Sequence, residues 1–306
     1  ACSIGGLGTV VGTPTNAIFI SFVQQKMGTT VSFWQWFLFG LPFCATLLVA
    51  CWLLLVRLFP LPKTLINSDN AHAMIKTELA ALGKVTPPER RLFWLFGAVI
   101  AAWVTGSLIW YAWWPNCNDT VVMMSGAILL FIIPAGSVSG SGEPTALLDW
   151  PTALRIPWGI MLLFGGGLAL AKGFDQSGLA TWMGEAMRGL STLPHVLIIF
   201  VVLAVVVLLS EVASNIATAS MMMPVLAALA VSIGTHPFAL LISATMAASF
   251  GFGLPVATAP NSIVYSSGYL RTRDMARAGF LLDLVAVLLL LGFLYGLLPL
   301  VWGIHV

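Results

Sequence analysis

Two short polar segments share the same residues at the same spacing inside an otherwise apolar chain. VGTPTNAI occupies residues 11–18 and VATAPNSI occupies residues 256–263. Val, Thr, Asn and Ile fill the same positions in both segments, 245 residues apart along the chain. Proline lacks a backbone N–H and interrupts a helix, which leaves carbonyl oxygens unpaired beside the hydroxyl and amide oxygens. A set of neutral oxygens of this kind suits a small hard cation such as sodium.

A simple proline kink is the alternative interpretation of each segment. Ser and Thr side chains often satisfy the carbonyls that a proline frees, so one such segment alone would favour a kink. Two related segments favour a binding function. The side chains that add oxygens to those of the backbone are Thr13, Thr15 and Asn16 in the first segment, and Thr258 and Asn261 in the second.

A third polar group lies in LLSEVASNIATASMMMPV, between two apolar arms. A tight turn at Ser214 and Asn215 would place an amide, a hydroxyl and a helix N-terminus at its tip, and helix N-termini attract anions. A packing seam of small residues between two helices is the alternative. Glu211 lies four residues before the tip. It is either a coupling group for a proton or cation or a structural partner of a hydroxyl or backbone N–H, and we favour the structural role because it can face away from the tip.

The composition places these segments in a membrane protein. The chain has 306 residues, of which 59% are hydrophobic and 8% are charged, whereas a soluble domain carries about 25% charged residues. The apolar runs have the length of helices and lack the alternation of a β-barrel. The four cysteines and four histidines show no metal-binding spacing. A net charge of +2 gives no indication of a nucleic-acid partner.

The apolar runs predict an all-α polytopic membrane protein, with a short surface helix at 71–82 in a polar linker. The predicted elements are an interrupted helix at 3–25, a span at 36–59, the linker at 60–91, spans at 92–114, 119–134 and 157–173, a hairpin of two arms at 194–233, a second interrupted helix at 238–269 and a last span at 275–302.

Positively charged residues orient these elements. Lys and Arg bracket the linker 60–91, and a second cluster lies at Arg271–Arg277, so both regions are expected on the cytoplasmic side. Counting spans from the linker then gives the two interrupted helices opposite directions. This arrangement predicts an inverted repeat, with residues 1–59 as the end of the first repeat and 92–306 as the second. Alternating-access transporters are built in this way, with interrupted helices at the midplane.

The same residues resemble the divalent anion/sodium symporter family, which carries dicarboxylates, citrate or sulfate. Gly12–Asn16 is similar to the first loop of the family's interrupted helices, and Ala257–Asn261 is similar to the second. Ser214-Asn215-Ile216 resembles the tip of the family's second re-entrant hairpin. WGIMLLFGGGLAL at 158–170 and TELAALGKVTPPERR at 77–91 resemble the preceding span and the cytoplasmic linker.

The resemblance implies two sodium sites, a substrate site between two hairpin tips, an elevator-like movement and a homodimer. The first sodium site would use the loop Gly12–Asn16. The second would use Ser210, Ser214, Asn215 and the loop Ala257–Ala259. The residues implied for substrate binding are Ser214, Asn215, Ile216, Thr15, Asn16, Pro260 and Asn261.

The sequence departs from the family pattern in three ways. Ile216 replaces a Thr, which removes a hydroxyl from the expected anion site. Thr15 and Ala259 each replace one Pro of a double-proline loop. The family's first hairpin has no counterpart in these residues, so we expect that an N-terminal portion is missing and that this fragment alone does not transport.

We therefore predict a sodium-coupled symporter of divalent organic anions in the inner (plasma) membrane, with sodium as coupling ion and no other cofactor. A sodium-independent dicarboxylate or citrate exchanger of the same fold is the alternative within transport. A channel or an intramembrane enzyme is the alternative from another class. Against an enzyme, no Ser/His pair or His-Glu cluster falls in a predicted span.

Overall fold

The computed structural model describes residues 1–60, 76–106, 117–138, 144–156, 158–179 and 192–304, with the single positions 109, 113, 114, 182 and 185. The helices are α1 Cys2–Gly6, α2 Pro14–Met27, α3 Phe33–Leu58, α4 Pro87–Thr105, α5 Asp119–Ile132, α6 Trp150–Ala153, α7 Trp158–Gln176, α8 His195–Val212, α9 Asn215–Ser232, α10 Pro237–Ala247, α11 Ala259–Ser266, α12 Thr272–Gly296 and α13 Leu298–Trp302. The strands are β1 Pro134–Val138 and β2 Pro144–Ala146.

The chain forms two compact units. The first contains residues 1–60 and 158–306, and the second contains residues 61–157. In the first unit, α2, α8 and α12 each pack against α10. In the second unit, α4 packs against α5, and the two strands pair with each other.

The structure confirms a mostly helical, multi-pass membrane protein. Four helices, α3, α8, α9 and α12, are long and apolar enough to cross a bilayer, by length and composition, within the described part of the chain. Fewer than half of the positions in each of these helices are buried inside the molecule. Such helices leave apolar side chains on their outer face, which suits contact with lipid.

Several helices begin or end at other residues than the predicted elements do. Helix α4 begins at Pro87, inside the predicted linker, because prolines suit the first helical turn and the Glu89 carboxylate accepts bonds from the backbone N–H and hydroxyl of Thr86 at 2.8 Å each. Both hydrogen bonds lower the pKa of the Glu89 carboxyl, and the bond from the backbone N–H has the larger effect. Helix α12 ends at Gly296, and the separate short helix α13 begins at Leu298 with Pro299 in its first turn. Residues 76–81 are helical as predicted, but the first half of that linker helix lies outside the described residues.

The prediction that every element is a helix was wrong in one place. After α5 ends at Ile132, β1 and β2 pair antiparallel, with Pro134 opposite Ala146. Gly136 has a φ of 79°, in the left-handed region that favours glycine. The segment is short and rich in small residues, so its sequence pattern does not distinguish a strand from the end of a membrane span.

Helix α10 forms the centre of the core in the first unit. All ten of its residues from Phe238 to Ala247 are buried. A helix that is apolar on every face is stable only where other helices surround it, and α2, α8, α9 and α12 pack against this one. The chain that follows α10 is therefore held at the centre of the unit.

Candidate functional site

Both proline-containing segments interrupt a pair of helices, as the sequence predicts. The first break lies between α1 and α2 at residues 7–13, and the second lies between α10 and α11 at residues 248–258. Pro14 and Pro260 occupy the first turns of the helices that follow. The breaks therefore lie upstream of the predicted loops at 12–16 and 257–261, because proline is favoured in the first turn of a helix.

An asparagine braces each break in the same way. Asn16 Nδ2 donates to the carbonyls of Gly6 at 3.2 Å and Thr9 at 2.8 Å, and Asn261 Nδ2 donates to those of Gly251 and Leu254, both at 3.0 Å. The partners lie ten and seven residues upstream in both cases. The repeated sequence therefore builds a repeated local structure.

A glycine on the following long helix packs against each break. A Cβ atom on Gly40 of α3 would lie 2.7 Å from the Leu7 carbonyl oxygen. A Cβ atom on Gly279 of α12 would collide with the backbone of Phe252 and Gly253. Both helices thus approach an irregular backbone at a distance that only glycine permits.

The third polar group forms the turn between α8, which ends at Val212, and α9, which begins at Asn215. The Ser210 hydroxyl lies 2.9 Å from Asn215 Oδ1 and 2.5 Å from the Ala248 carbonyl oxygen. One hydroxyl proton can serve only one of these two acceptors. These contacts join the turn to the second break, and they bring three oxygens, from Ser210, Asn215 and Ala248, close together.

A cavity of about 420 Å³ opens between the two breaks and this turn, within the size range of small-molecule sites. The residues that line it are Cys2, Ser3, Gly6, Gly12, Thr13, Pro14, Ser214, Asn215, Ile216, Ser249, Ala257, Thr258, Ala259 and Pro260. We call this space the central cavity. All of the described lining residues belong to the first unit.

Most, but not all, of the residues predicted for the site line the central cavity. Four predicted residues do not, namely Thr15, Asn16, Ser210 and Asn261. Thr15 is fully buried, and its hydroxyl lies 2.8 Å from that of Ser249. The others hold the breaks and the turn in place, as described above.

Sequence reasoning missed four lining residues, Cys2, Ser3, Gly6 and Ser249. The repeat contained a signal for one of them. Gly6 and Gly8 recur as Gly251 and Gly253 at the same spacing of 245 residues. Extending the comparison upstream from Val11 would have included them.

The electrostatics of the central cavity come from the backbone. None of its described lining residues is an acid, a base or a histidine. The N-termini of α2, α9 and α11 reach it through Pro14, Asn215 and Pro260, and these termini carry partial positive charge. The carbonyls that follow α1 and α10 add partial negative charge nearby. The cavity therefore offers both signs of charge without an ionised side chain.

A buried oxygen lies beside the first break. Asn16 is fully buried, and its Oδ1 atom has no hydrogen-bond partner among the described residues. A buried acceptor without a donor costs about 1–3 kcal/mol. A bound cation would satisfy this oxygen.

Glu211 binds backbone N–H groups, as expected for the structural role. Its two carboxylate oxygens accept bonds from the backbone N–H groups of Gly253 and Leu254 at 2.6 and 2.7 Å. It is not among the lining residues of the central cavity. The side chain therefore supports the second break.

Long apolar helices, two braced breaks and a cavity lined by uncharged groups are typical of membrane transport proteins. The model of the family described as "Sodium:sulfate symporter transmembrane region" matches residues 1–302, and the chain belongs to this family. It is a family of transporters, which sets the chain apart from enzymes.

Curated relatives include the "Sodium-dependent dicarboxylate transporter SdcS" of Staphylococcus aureus. The proteins of strains MRSA252, USA300 and NCTC 8325 / PS 47 are each 37% identical to this chain over 308 residues. The alignment covers 100% of this chain and 58% of each relative. The chain thus spans a little more than half the length of the relatives it matches.

Proposed function

We propose that the protein containing this chain is a sodium-coupled symporter of small divalent organic anions, of the C4-dicarboxylate or citrate type. The observation that carries this proposal is the convergence of three helix N-termini and two interrupted helices on one cavity without charged side chains. The family and the printed name of the relatives support sodium and a dicarboxylate as the transported species.

The anion is assigned to the α9 end of the central cavity. Ser214, Asn215 and Ile216 line it there, at the N-terminus of an 18-residue helix. The unpaired N–H groups of a helix N-terminus attract carboxylates. Pro260 contributes from the facing break, and Thr15, Asn16 and Asn261 act by holding that surface together.

Sodium is assigned to two groups of neutral oxygens. The first comprises the carbonyls of Gly12, Thr13 and Pro14 with the unpartnered amide oxygen of Asn16. The second comprises Ser210, Ser214 and Asn215 with the loop Ala257–Ala259. Neutral oxygens of this kind favour a monovalent cation over a proton, since a proton needs a titratable group.

The mechanism that we propose is an elevator-like alternating access on an inverted repeat. The two breaks have the same braces and the same glycine contacts, and their order relative to the positive clusters implies opposite directions in the bilayer. The turn at Ser214 would then be the tip of a re-entrant hairpin made by α8 and α9. In this arrangement the linker 60–91 and Arg271–Arg277 lie on the cytoplasmic side of the inner membrane, and the complete protein is a homodimer.

The test is uptake of succinate by the product of the complete reading frame that contains these residues. The purified protein is reconstituted into liposomes, and uptake is compared with an inward sodium gradient and with potassium replacing sodium. Symport predicts accumulation only with the sodium gradient. Equal uptake in sodium-free buffer, driven by internal dicarboxylate, would instead establish an exchanger, and single-channel currents would establish a channel.

A further inference from the structure

A buried hydroxyl group joins the two breaks. Thr15, in the first turn of α2, is fully buried. Its Oγ1 atom lies 2.8 Å from the Oγ atom of Ser249 in the second break and 3.3 Å from the Oγ1 atom of Thr13 in the first break. Thr13 and Ser249 line the central cavity, whereas Thr15 does not. These three hydroxyl groups, which we call the hydroxyl row, therefore connect the two breaks and meet the cavity at both ends.

The Thr15 hydroxyl can donate to only one of its two neighbours at a time, because it has a single proton. In the first arrangement, Thr15 donates to Thr13 and accepts from Ser249. In the second arrangement, Thr15 donates to Ser249, and the proton of Ser249 is no longer used within the row. Either hydroxyl can be the donor across the 2.8 Å contact, so the positions of the oxygens allow both arrangements.

The two arrangements differ in what Ser249 offers to the central cavity. In the first, the Ser249 proton is held by Thr15. In the second, its acceptor within the described protein is the Thr245 carbonyl oxygen at 3.5 Å, which is at the outer limit of a hydrogen bond. A carboxylate in the cavity is a stronger acceptor, because hydrogen bonds to charged groups are stronger than those between neutral groups. Ser249 is thus a donor for an anion in the second arrangement.

A cation at the first break selects between the two arrangements. The carbonyl of Thr13 belongs to the first group of oxygens that we assign to sodium, and the hydroxyl of the same residue accepts the Thr15 proton in the first arrangement. A bound cation repels the positive end of an O–H group that points towards it. Sodium therefore favours the second arrangement, in which the Thr15 hydroxyl points towards Ser249.

We propose that Thr15 is a positioning residue that couples the two ligands: sodium at the first break turns its hydroxyl towards Ser249, and Ser249 then donates to the anion in the central cavity. This inference rests on the proposed function, because it needs sodium and a carboxylate bound to the same protein. The proton of each hydroxyl stays on its own oxygen, and only the directions of the hydrogen bonds change.

Succinate binding to the purified product of the complete reading frame tests this coupling, with affinities measured in sodium and in potassium at equal ionic strength. Ser249→Ala removes the donor. It should weaken succinate binding in sodium by about tenfold, which corresponds to the loss of one hydrogen bond to a charged group. Binding in potassium should stay nearly unchanged, because Ser249 does not donate to the anion there.

Thr15→Val should reduce the effect of sodium by the opposite route. Valine keeps the shape of threonine but cannot accept the Ser249 proton, so Ser249 is a donor for the anion whether or not sodium is bound. Succinate binding in potassium should tighten by about fivefold, at the lower end of typical couplings between ligands, while binding in sodium stays nearly unchanged. Thr15→Ser retains the hydroxyl and should retain the sodium effect of the unmodified protein.

Ser243→Ala is the matched control for the loss of a buried hydroxyl. Ser243 is fully buried in α10, and its hydroxyl donates to the Ala239 carbonyl within the same helix. This variant should leave both succinate affinities unchanged.

Two results would overturn the inference and leave sodium-coupled binding intact. One is a change of succinate affinity by the same factor in sodium and in potassium, which indicates a purely structural role for Thr15 and Ser249. The other is an undiminished sodium effect in Ser249→Ala, a variant that decides the question even if Thr15→Val does not fold. Equal succinate affinity of the unmodified protein in sodium and in potassium would instead overturn symport itself, and the inference with it.

Discussion

Asn16 and Asn261 make the same pair of hydrogen bonds in the two interrupted segments. Each side-chain amide donates to the carbonyls ten and seven residues upstream, at distances between 2.8 and 3.2 Å. Irregular backbone at membrane depth is stable only when its polar groups find partners within the protein. The two asparagines provide these partners, and they keep the carbonyls of each break in a defined arrangement.

The first prediction concerns this brace. Asn261→Ala should lower the free energy of unfolding by about 2 kcal/mol, since it leaves two carbonyls of the second break without donors. Succinate uptake should fall about tenfold or more, because the loop that lines the central cavity is no longer held. Thermal unfolding in detergent and uptake into liposomes measure the two effects.

Ser262→Ala is the matched control for the brace. Ser262 is exposed, and its hydroxyl donates to the Pro255 carbonyl at 2.6 Å, next to Asn261 on the same helix. Its loss should leave uptake near the level of the unmodified protein. If Asn261→Ala and Ser262→Ala behave alike in both assays, the brace has no special role.

The sequence predicted the breaks and the turn but not the role of the asparagines within them. Proline and a run of small polar residues interrupt a helix through local chemistry, which a single sequence displays. The bonds of Asn16 and Asn261 go to carbonyls ten and seven residues away, and the side-chain type does not reveal such partners. Asn was therefore expected to face the ligand, whereas the structure places its Nδ2 against the backbone.

Partners distant in the chain escaped prediction for the same reason. Ser249 meets Thr15 across 234 residues, and Asp283 of α12 accepts a bond from the N–H of Phe252 across a helix packing that no periodicity specifies. The structural role of Glu211 was predicted correctly, because the number of residues between Glu211 and the tip can be read from the sequence. The strands at 134–138 and 144–146 were missed because short segments of small residues resemble the end of a span.

The second prediction concerns the tip of the turn. Asn215→Ala should abolish most of the succinate uptake with little change in thermal stability. Asn215 lines the central cavity, and the Ser210 hydroxyl keeps its bond to the Ala248 carbonyl when the amide is removed. Uptake and thermal unfolding are again the measurements.

Met221→Ala is the control on the same helix as Asn215. Met221 is 41% exposed and does not line the central cavity. It should retain uptake close to that of the unmodified protein. Uptake at the unmodified rate in Asn215→Ala would place the anion elsewhere.

The third prediction concerns Ile216, which stands where the family has a threonine. Ile216→Thr should change the preference among succinate, citrate and sulfate by about tenfold, while the dependence on sodium stays the same. The new hydroxyl adds a hydrogen-bond donor to the lining, and a site that bonds a substrate group discriminates strongly against anions that lack it.

Ile263→Thr makes the same chemical change at a residue that is 70% exposed. It should leave the substrate preference unchanged. A shift in sodium dependence with unaltered preference in Ile216→Thr would argue against contact between this residue and the anion. Competition of each anion against labelled succinate measures the preference.

The fourth prediction concerns the close approach of α12 to the second break. Gly279→Ala should destabilise the protein by about 1–3 kcal/mol, because the added methyl group collides with the backbone of Phe252 and Gly253. Gly40→Ala should have the same effect at the first break, where the methyl group meets the Leu7 carbonyl. Thermal unfolding in detergent measures both.

Gly292→Ala is the control on the same helix as Gly279. A Cβ atom there meets nothing within 4 Å, so alanine should stabilise the helix by up to about 1 kcal/mol. Opposite signs for the two substitutions on α12 are therefore expected. Equal stability of Gly279→Ala and Gly292→Ala would show that α12 does not approach the break as described.

The most direct test of the central claim is the linkage between sodium and succinate binding. Binding of labelled succinate to the purified product of the complete reading frame is measured in sodium and in potassium at equal ionic strength. If both ligands share the central cavity, sodium should tighten succinate binding, succinate should tighten sodium binding by the same factor, and Asn215→Ala should abolish the effect. Equal succinate affinity in sodium and potassium, or a sodium effect that persists unchanged in Asn215→Ala, would contradict the account.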